Sequence, residues 1–96
     1  MALDDDALYA QRMEKWTNLI NRMNVLFVES RRAAEETDDL EKARELLRLI
    51  HHHGSVETNV KYLRPEPDGL HEGELYRLNQ IAKDVDEHEA EVRVLL

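Results

Sequence analysis

The 96-residue chain contains no cysteine, which excludes disulfides, thiol nucleophiles and every zinc site that depends on thiolate ligands. It also lacks any run approaching the roughly 20 apolar residues that span a bilayer. Its N-terminal segment is acidic, whereas a signal sequence is basic and then apolar. We therefore expect a cytoplasmic protein that makes no contact with a membrane.

Glycine and proline are scarce, and the first 53 residues contain neither. Sheet proteins need turn signals every 8–12 residues or so, and long helices do not. The sequence therefore predicts an all-α protein, a single domain over residues 1–96 with three long helices in an up-down-up antiparallel bundle. The helices are expected at about 5–36, 38–63 and 70–93, and the Pro/Gly-containing segment 64–69 is expected to form a loop.

Apolar residues of the first helix follow a spacing that alternates between four and three, which is typical of a packed helix face. The row is Tyr9, Met13, Trp16, Ile20, Met23, Phe27, Ser30 and Ala34. Val25 and Val28 lie off this row and are hard to bury in a three-helix monomer. We therefore predict that the first helix forms a homodimer or docks on a partner, using Met13, Trp16, Ile20, Met23, Val25, Phe27 and Val28.

A break is expected near residues 52–55 of the second helix, because Gly54 is a plausible C-terminal capping residue. The predicted core row before the break is Leu40, Ala43, Leu47 and Ile50. Val56, Val60 and Leu63 keep the same spacing beyond it, so the helix is expected to resume. Both a kink and a short loop at Gly54 remain open.

Three consecutive histidines, His51, His52 and His53, precede Gly54. Neighbouring helical residues point about 100° apart, so the three imidazoles cannot all face one ion in a regular helix. We interpret them as residues that cap a helix end, where a cationic imidazole favours the helix dipole. No metal and no cofactor are expected; the alternative is a metal-binding bundle with His51, His52, His53 and Glu57 as ligands.

The last third of the chain carries most of the negative charge. Residues 65–96 hold nine acidic and three basic residues, a net charge of −6 out of −8 for the whole chain. The apolar face of this helix is expected to be Leu75, Leu78, Ile81, Val85, His88, Val92 and Leu95, with His88 a core histidine hydrogen-bonded to a neighbour. The predicted partner-binding face is acidic and consists of Asp84, Asp86, Glu87 and Glu91.

The function predicted from these features is non-enzymatic. The chain has no nucleophile elbow and no glycine-rich phosphate loop. An acidic chain is repelled by nucleic acid and anionic lipid, so a basic protein is the expected partner. In size and charge the chain is similar to small acidic proteins that inhibit restriction or CRISPR machinery by mimicking phosphates. We therefore expect a binder or inhibitor of a basic, nucleic-acid-handling partner. One alternative is a structural subunit of a self-assembling complex, and the other is the histidine-based metal bundle.

Overall fold

Three α-helices make up the protein in the computed structural model, which describes residues 5–67 and 72–96. They are α1 (Asp5–Glu36), α2 (Leu40–Tyr62) and α3 (Glu72–Arg93), and the described residues contain no strand. The predicted all-α class and the three helices are confirmed. The last two residues of the expected loop, Asp68 and Gly69, and the expected start of the third helix at about residue 70 lie outside the described residues.

The direction of each helix follows from the side-chain pairs that join them. Lys15 pairs with Asn79, Arg22 with Asp86 and Glu29 with Arg93, and each pair is 64 residues apart. A constant offset requires α1 and α3 to run parallel. We call these three pairs the α1–α3 ladder; its rungs are seven residues apart on each helix, which is the heptad repeat of helices that pack side by side.

Contacts between α1 and α2 run in the opposite sense. Trp16 reaches Val60, and the ring of Phe27 lies against that of His53, so a later residue of α1 meets an earlier residue of α2. These two helices are therefore antiparallel, which confirms the up-down-up order. The resulting bundle measures 55 × 19 × 17 Å.

Residues 37–39 connect α1 to α2 in a tight turn. The carboxylate of Asp39 accepts hydrogen bonds from the backbone N–H groups of Glu41 at 3.0 Å and Lys42 at 3.2 Å. These bonds satisfy two donors that the first turn of a helix leaves free. The N-cap of α2 is therefore Asp39, and the helix begins at Leu40.

Two apolar clusters form the core along the bundle axis. The larger consists of Leu19, Met23, Val56, Val60, Leu78, Ile81 and Val85. The smaller consists of Leu26, Leu49 and Val92. Along α2 and α3 the clusters are separated by one buried polar residue on each helix, His53 and His88. The core is thus two apolar segments with a polar layer between them.

Of the two alternatives at Gly54, the short loop is wrong, because α2 is continuous through that residue. Its buried residues are Leu46, Leu49, His53, Val56 and Val60, an unbroken three-four row that crosses the glycine. A glycine inside a helix costs about 1 kcal/mol, whereas burying a valine contributes roughly 1.5–3 kcal/mol. Burial of Val56 and Val60 therefore outweighs the local preference of Gly54 to end the helix.

The core row predicted for the first part of α2 is wrong at Leu40 and Leu47, which are largely exposed, with Leu47 58% accessible. Its other members, Ala43 and Ile50, are half-buried, and the fully buried residues of this segment are Leu46 and Leu49. The predicted row of α3 is wrong at Leu75, which is 40% exposed. It is right for five residues that are all buried: Leu78, Ile81, Val85, His88 and Val92. None of the described helices combines the length and apolar content needed to cross a membrane.

Candidate functional site

The face of α3 that meets α1 carries carboxylates that are neutralised. The Arg22 guanidinium lies 2.6 Å from a carboxylate oxygen of Asp86 and 3.3 Å from one of Glu89. The hydrogen bond to Asp86 raises the pKa of Arg22 above its usual value. Farther along the ladder, Arg93 of α3 pairs with Glu29 of α1. Charge on this face is therefore used to hold two helices together.

On the other side of α3, three carboxylates border a groove against α2. We call it the carboxylate groove; it has a volume of about 290 Å³ and is lined by His52, Ser55, Val56, Asn59, Asp84, Glu87, His88 and Glu91. Among the described residues, no cation lies within ion-pair distance of Asp84, Glu87 or Glu91. Arg48 is close enough to interact electrostatically with Glu91, but its ion pair is with Glu45. The groove therefore keeps an uncompensated negative charge.

The predicted acidic face divides between these two sides. Asp84, Glu87 and Glu91 lie together at the groove, as their spacing predicts. Asp86 does not join them, because it points to Arg22 on α1. Sequence spacing places Asp86 only on the flank of the row, and its pairing depends on a residue 64 positions away.

The histidine pair, His53 and His88, lies at the centre of the bundle. Only 3% of His53 and 2% of His88 are exposed, and Nδ1 of His53 is 3.1 Å from Nε2 of His88. Nε2 of His53 is 3.2 Å from a carboxylate oxygen of Glu57. On the third side, the Phe27 ring of α1 lies with its centroid 5.3 Å from that of His53. The pair therefore joins all three helices.

Protonation states within the pair follow from its contacts. Glu57 accepts a hydrogen bond from the Nε2–H group of His53, which leaves Nδ1 of a neutral His53 as an acceptor. Nε2 of His88 must then donate to that nitrogen. Nδ1 of His88 carries the remaining lone pair, and no described residue hydrogen-bonds to it. The arrangement is a chain of three groups, carboxylate to imidazole to imidazole, in which both rings are neutral.

Burial lowers the pKa of both His53 and His88 below the ordinary histidine value, because the interior disfavours the charged ring. Attraction to Glu57 opposes this shift at His53. Conversely, the pKa of Glu57 is lowered first by its hydrogen bond from Lys61 and then by His53. The two imidazoles are therefore held neutral beside an ionised carboxylate at neutral pH.

The prediction that the three histidines cap a helix end is wrong, because α2 continues for nine residues beyond His53. His51 and His52 are exposed, and only His53 enters the core. The expected hydrogen bond of a buried His88 to a neighbour is confirmed, with His53 as the partner. Within the described residues, no group of three or more His, Asp or Glu side chains is arranged to hold a metal ion. His53 and Glu57 do meet, but as a hydrogen-bonded pair.

The apolar face predicted for α1 is mostly core. Met23 is fully buried, and Trp16 and Ile20 pack against the larger cluster. Trp16 also donates from Nε1 to the Val60 carbonyl at 2.7 Å. Met13 and Phe27 are half-buried, whereas 51% of Val25 and 55% of Val28 are exposed. Of the seven residues predicted for the association face, Val25 and Val28 are therefore the two that are mostly exposed to solvent.

Sequence reasoning missed His53 as part of the core and Arg22 as the counterion of Asp86. The signal for His53 was present, since it continues the row of Leu46, Leu49, Val56 and Val60. No local signal marked Arg22. Comparisons of the chain with protein-family models, with curated proteins and with solved structures found no match.

Proposed function

We propose that this protein is a non-enzymatic binding module that docks on a basic partner protein through the carboxylate groove. The observation that carries the proposal is that some carboxylates of α3 have a counterion within the fold and others do not. Asp86 and Glu89 have a counterion within the fold, whereas Asp84, Glu87 and Glu91 have none among the described residues. A cationic side chain of a partner would supply the missing counterion.

Like charges three and four residues apart on a helix destabilise it by a few tenths of a kcal/mol for each pair. Asp84, Glu87 and Glu91 therefore weaken the isolated fold slightly, and an interaction outside the fold gives this arrangement a use. At about 1.5 Å of rise per residue, the row from Asp84 to Glu91 spans roughly 10 Å. This is one negative charge for every 5 Å or so, compared with one for every 3.4 Å along a single DNA strand.

A protein groove built to bind phosphates is therefore the partner surface that suits this row, and a nucleic-acid-handling complex in the cytoplasm is the proposed setting. The protein would act as an inhibitor by occupying that surface. A serine hydroxyl is a possible nucleophile, but that of Ser30 is buried and donates to the Leu26 carbonyl at 2.7 Å. That contact ties up the hydroxyl within its own helix.

The test measures binding of a fluorescent nona-arginine peptide at about 50, 150 and 500 mM NaCl. Wild-type affinity should fall steeply with salt, because screening shortens the range of the charges. The variant with Asp84→Asn, Glu87→Gln and Glu91→Gln should bind roughly tenfold more weakly, since exposed charge pairs contribute about 0.2–1 kcal/mol each. Affinity that does not depend on salt would contradict the proposal.

A matched control carries Glu14→Gln, Glu36→Gln and Glu66→Gln, three exposed carboxylates dispersed over the surface. The two variants lose the same charge, so only the location differs. The control should bind within about threefold of wild type. Equal weakening in both variants would show that net charge matters and the groove does not.

A second proposed role, assembly with another copy of the chain, is favoured by one observation. Val25 and Val28 are more than half exposed and lie three residues apart on α1. Association through this face would bury them. Sedimentation equilibrium should show a dimer that becomes a monomer after Val25→Lys and Val28→Lys, with Lys61→Ala as an exposed control. A wild-type protein that stays monomeric at millimolar concentration would exclude this role.

A further inference from the structure

A buried hydrogen bond between two imidazoles is the main irregularity of the core. His53 and His88 occupy the layer that separates the larger apolar cluster from the smaller one. An N–H···N bond needs one proton between its two nitrogens, so the contact forms only when at least one ring is neutral. This layer is therefore the part of the core whose packing depends on proton concentration.

Each of the three helices contributes to the surroundings of the pair. On α2, Glu57 contacts His53 and is itself bonded to Lys61, and the exposed His52 ring lies with its centroid 5.5 Å from that of His88. On α3, Glu91 lies close enough to favour the charged form of His88, and Asp84 and Glu87 border the same groove.

From α1, the ring next to the pair is the uncharged Phe27. The carboxylates of Asp86 and Glu89, two residues before and one residue after His88, are directed to Arg22. Negative charge therefore reaches the pair from the groove and from Glu57, and the α1 side offers an apolar wall.

We propose that the histidine pair is an acid-operated latch, which holds α2 to α3 when neutral and releases the C-terminal end of α3 when both rings are protonated. The first proton binds at Nδ1 of His88, which carries a free lone pair. The positive charge of the resulting imidazolium would lie near Glu91. The second proton must enter at Nδ1 of His53. It would replace the hydrogen bond by two cations whose nitrogens are 3.1 Å apart.

The direction of the effect follows from the protons that each state binds. In the opened state both imidazoles are solvated and take up protons below about pH 6.5. In the closed state burial lowers the pKa of both rings, so they stay neutral to more acidic pH. Acidification from pH 7 through 6.5 and below therefore favours opening, by up to about tenfold per pH unit for each histidine.

The end that opens first is set by the sizes of the two clusters. Beyond His88, α3 is held by Val92 of the smaller cluster, by the half-buried Leu95 and by two partly exposed ion pairs, Glu89 with Arg22 and Arg93 with Glu29. Before His88, it is held by Leu78, Ile81 and Val85 of the larger cluster. Loss of the polar layer therefore frees residues 89–95 while the other end stays packed.

The test is amide hydrogen exchange on the full chain, followed residue by residue by NMR and corrected for the intrinsic pH dependence. Protection of residues 89–95 should fall at least about tenfold between pH 7 and 5.5, and protection of residues 78–85 should fall less. Unchanged protection, or an equal fall over the whole of α3, would overturn the proposal.

Two variants distinguish the pair from an exposed histidine. His53→Gln with His88→Gln should abolish the pH-dependent loss of protection, whereas His51→Gln, which removes an exposed ring outside the pair, should keep it. If the first variant does not fold, imidazole nitrogen NMR of the wild type decides. His53 and His88 should titrate below the ordinary histidine value of about 6.5, and titration of both at that value would overturn the latch.

Discussion

The two sides of α3 carry similar residues and use them differently. Toward α1, acidic side chains meet arginine, as at Asp86 and Arg22, and the charges cancel within the fold. Toward α2, Asp84, Glu87 and Glu91 face a groove that also contains His88. A net charge of −6 in residues 65–96 therefore does not by itself give the surface potential, because some of these carboxylates are neutralised by α1 and others are not.

The largest expected effect comes from a charge placed in the core of α3, between its α1 side and its α2 side. Val85 is fully buried between them. Val85→Asp should destabilise the protein by more than about 4 kcal/mol, because it buries a charge without a partner. Since small domains are stable by only about 5–15 kcal/mol, we expect far-UV circular dichroism to show a largely unfolded chain. Lys83→Asp, exposed on the same helix, should keep its helical signal.

A smaller and sharper effect comes from reversing one charge on each side. Asp86→Arg should lower the free energy of unfolding by about 1 kcal/mol, since it places a second cation against Arg22. Glu87→Arg should raise it by about 0.5 kcal/mol, because the repulsion from Asp84 and Glu91 becomes attraction, which outweighs the new repulsion from Lys83. Urea denaturation of the two variants measures both values. A change of the same sign in both would erase the distinction between the two sides.

The sequence was most informative where a single apolar row was present. On α3 one row, from Leu78 to Val92, accounts for the apolar face, and the structure buries it. On α2 two rows compete, one through Leu47 and one through Leu46 and Leu49. The predicted row is the first, whereas the buried row is the second, which includes His53, a residue that a count of hydrophobic side chains leaves out. A histidine that finds a buried hydrogen-bond partner behaves as a core residue, and that partner is 35 residues away.

One part of the site, the row Asp84, Glu87 and Glu91, was predictable because helical spacing alone brings these residues to one side of α3. Whether a carboxylate is neutralised depends on which residue of α1 faces it, and this is a property of the packed bundle. The continuity of α2 through Gly54 is likewise a tertiary effect, because the local cost of the glycine is offset by residues that α1 and α3 cover.

The order of charges on the α1–α3 ladder has a consequence for alignment of the chain. On α1 the rungs are Lys15, Arg22 and Glu29, and on α3 they are Asn79, Asp86 and Arg93. If α3 slipped by one heptad in either direction, Arg22 would face Arg93 or Glu29 would face Asp86. The slips also create opposite-charge rungs, Lys15 with Asp86 in one direction and Glu36 with Arg93 in the other. The observed alignment has no like-charge rung, so the change of sign at the last rung disfavours the two nearest misalignments that the heptad-spaced apolar rows would tolerate.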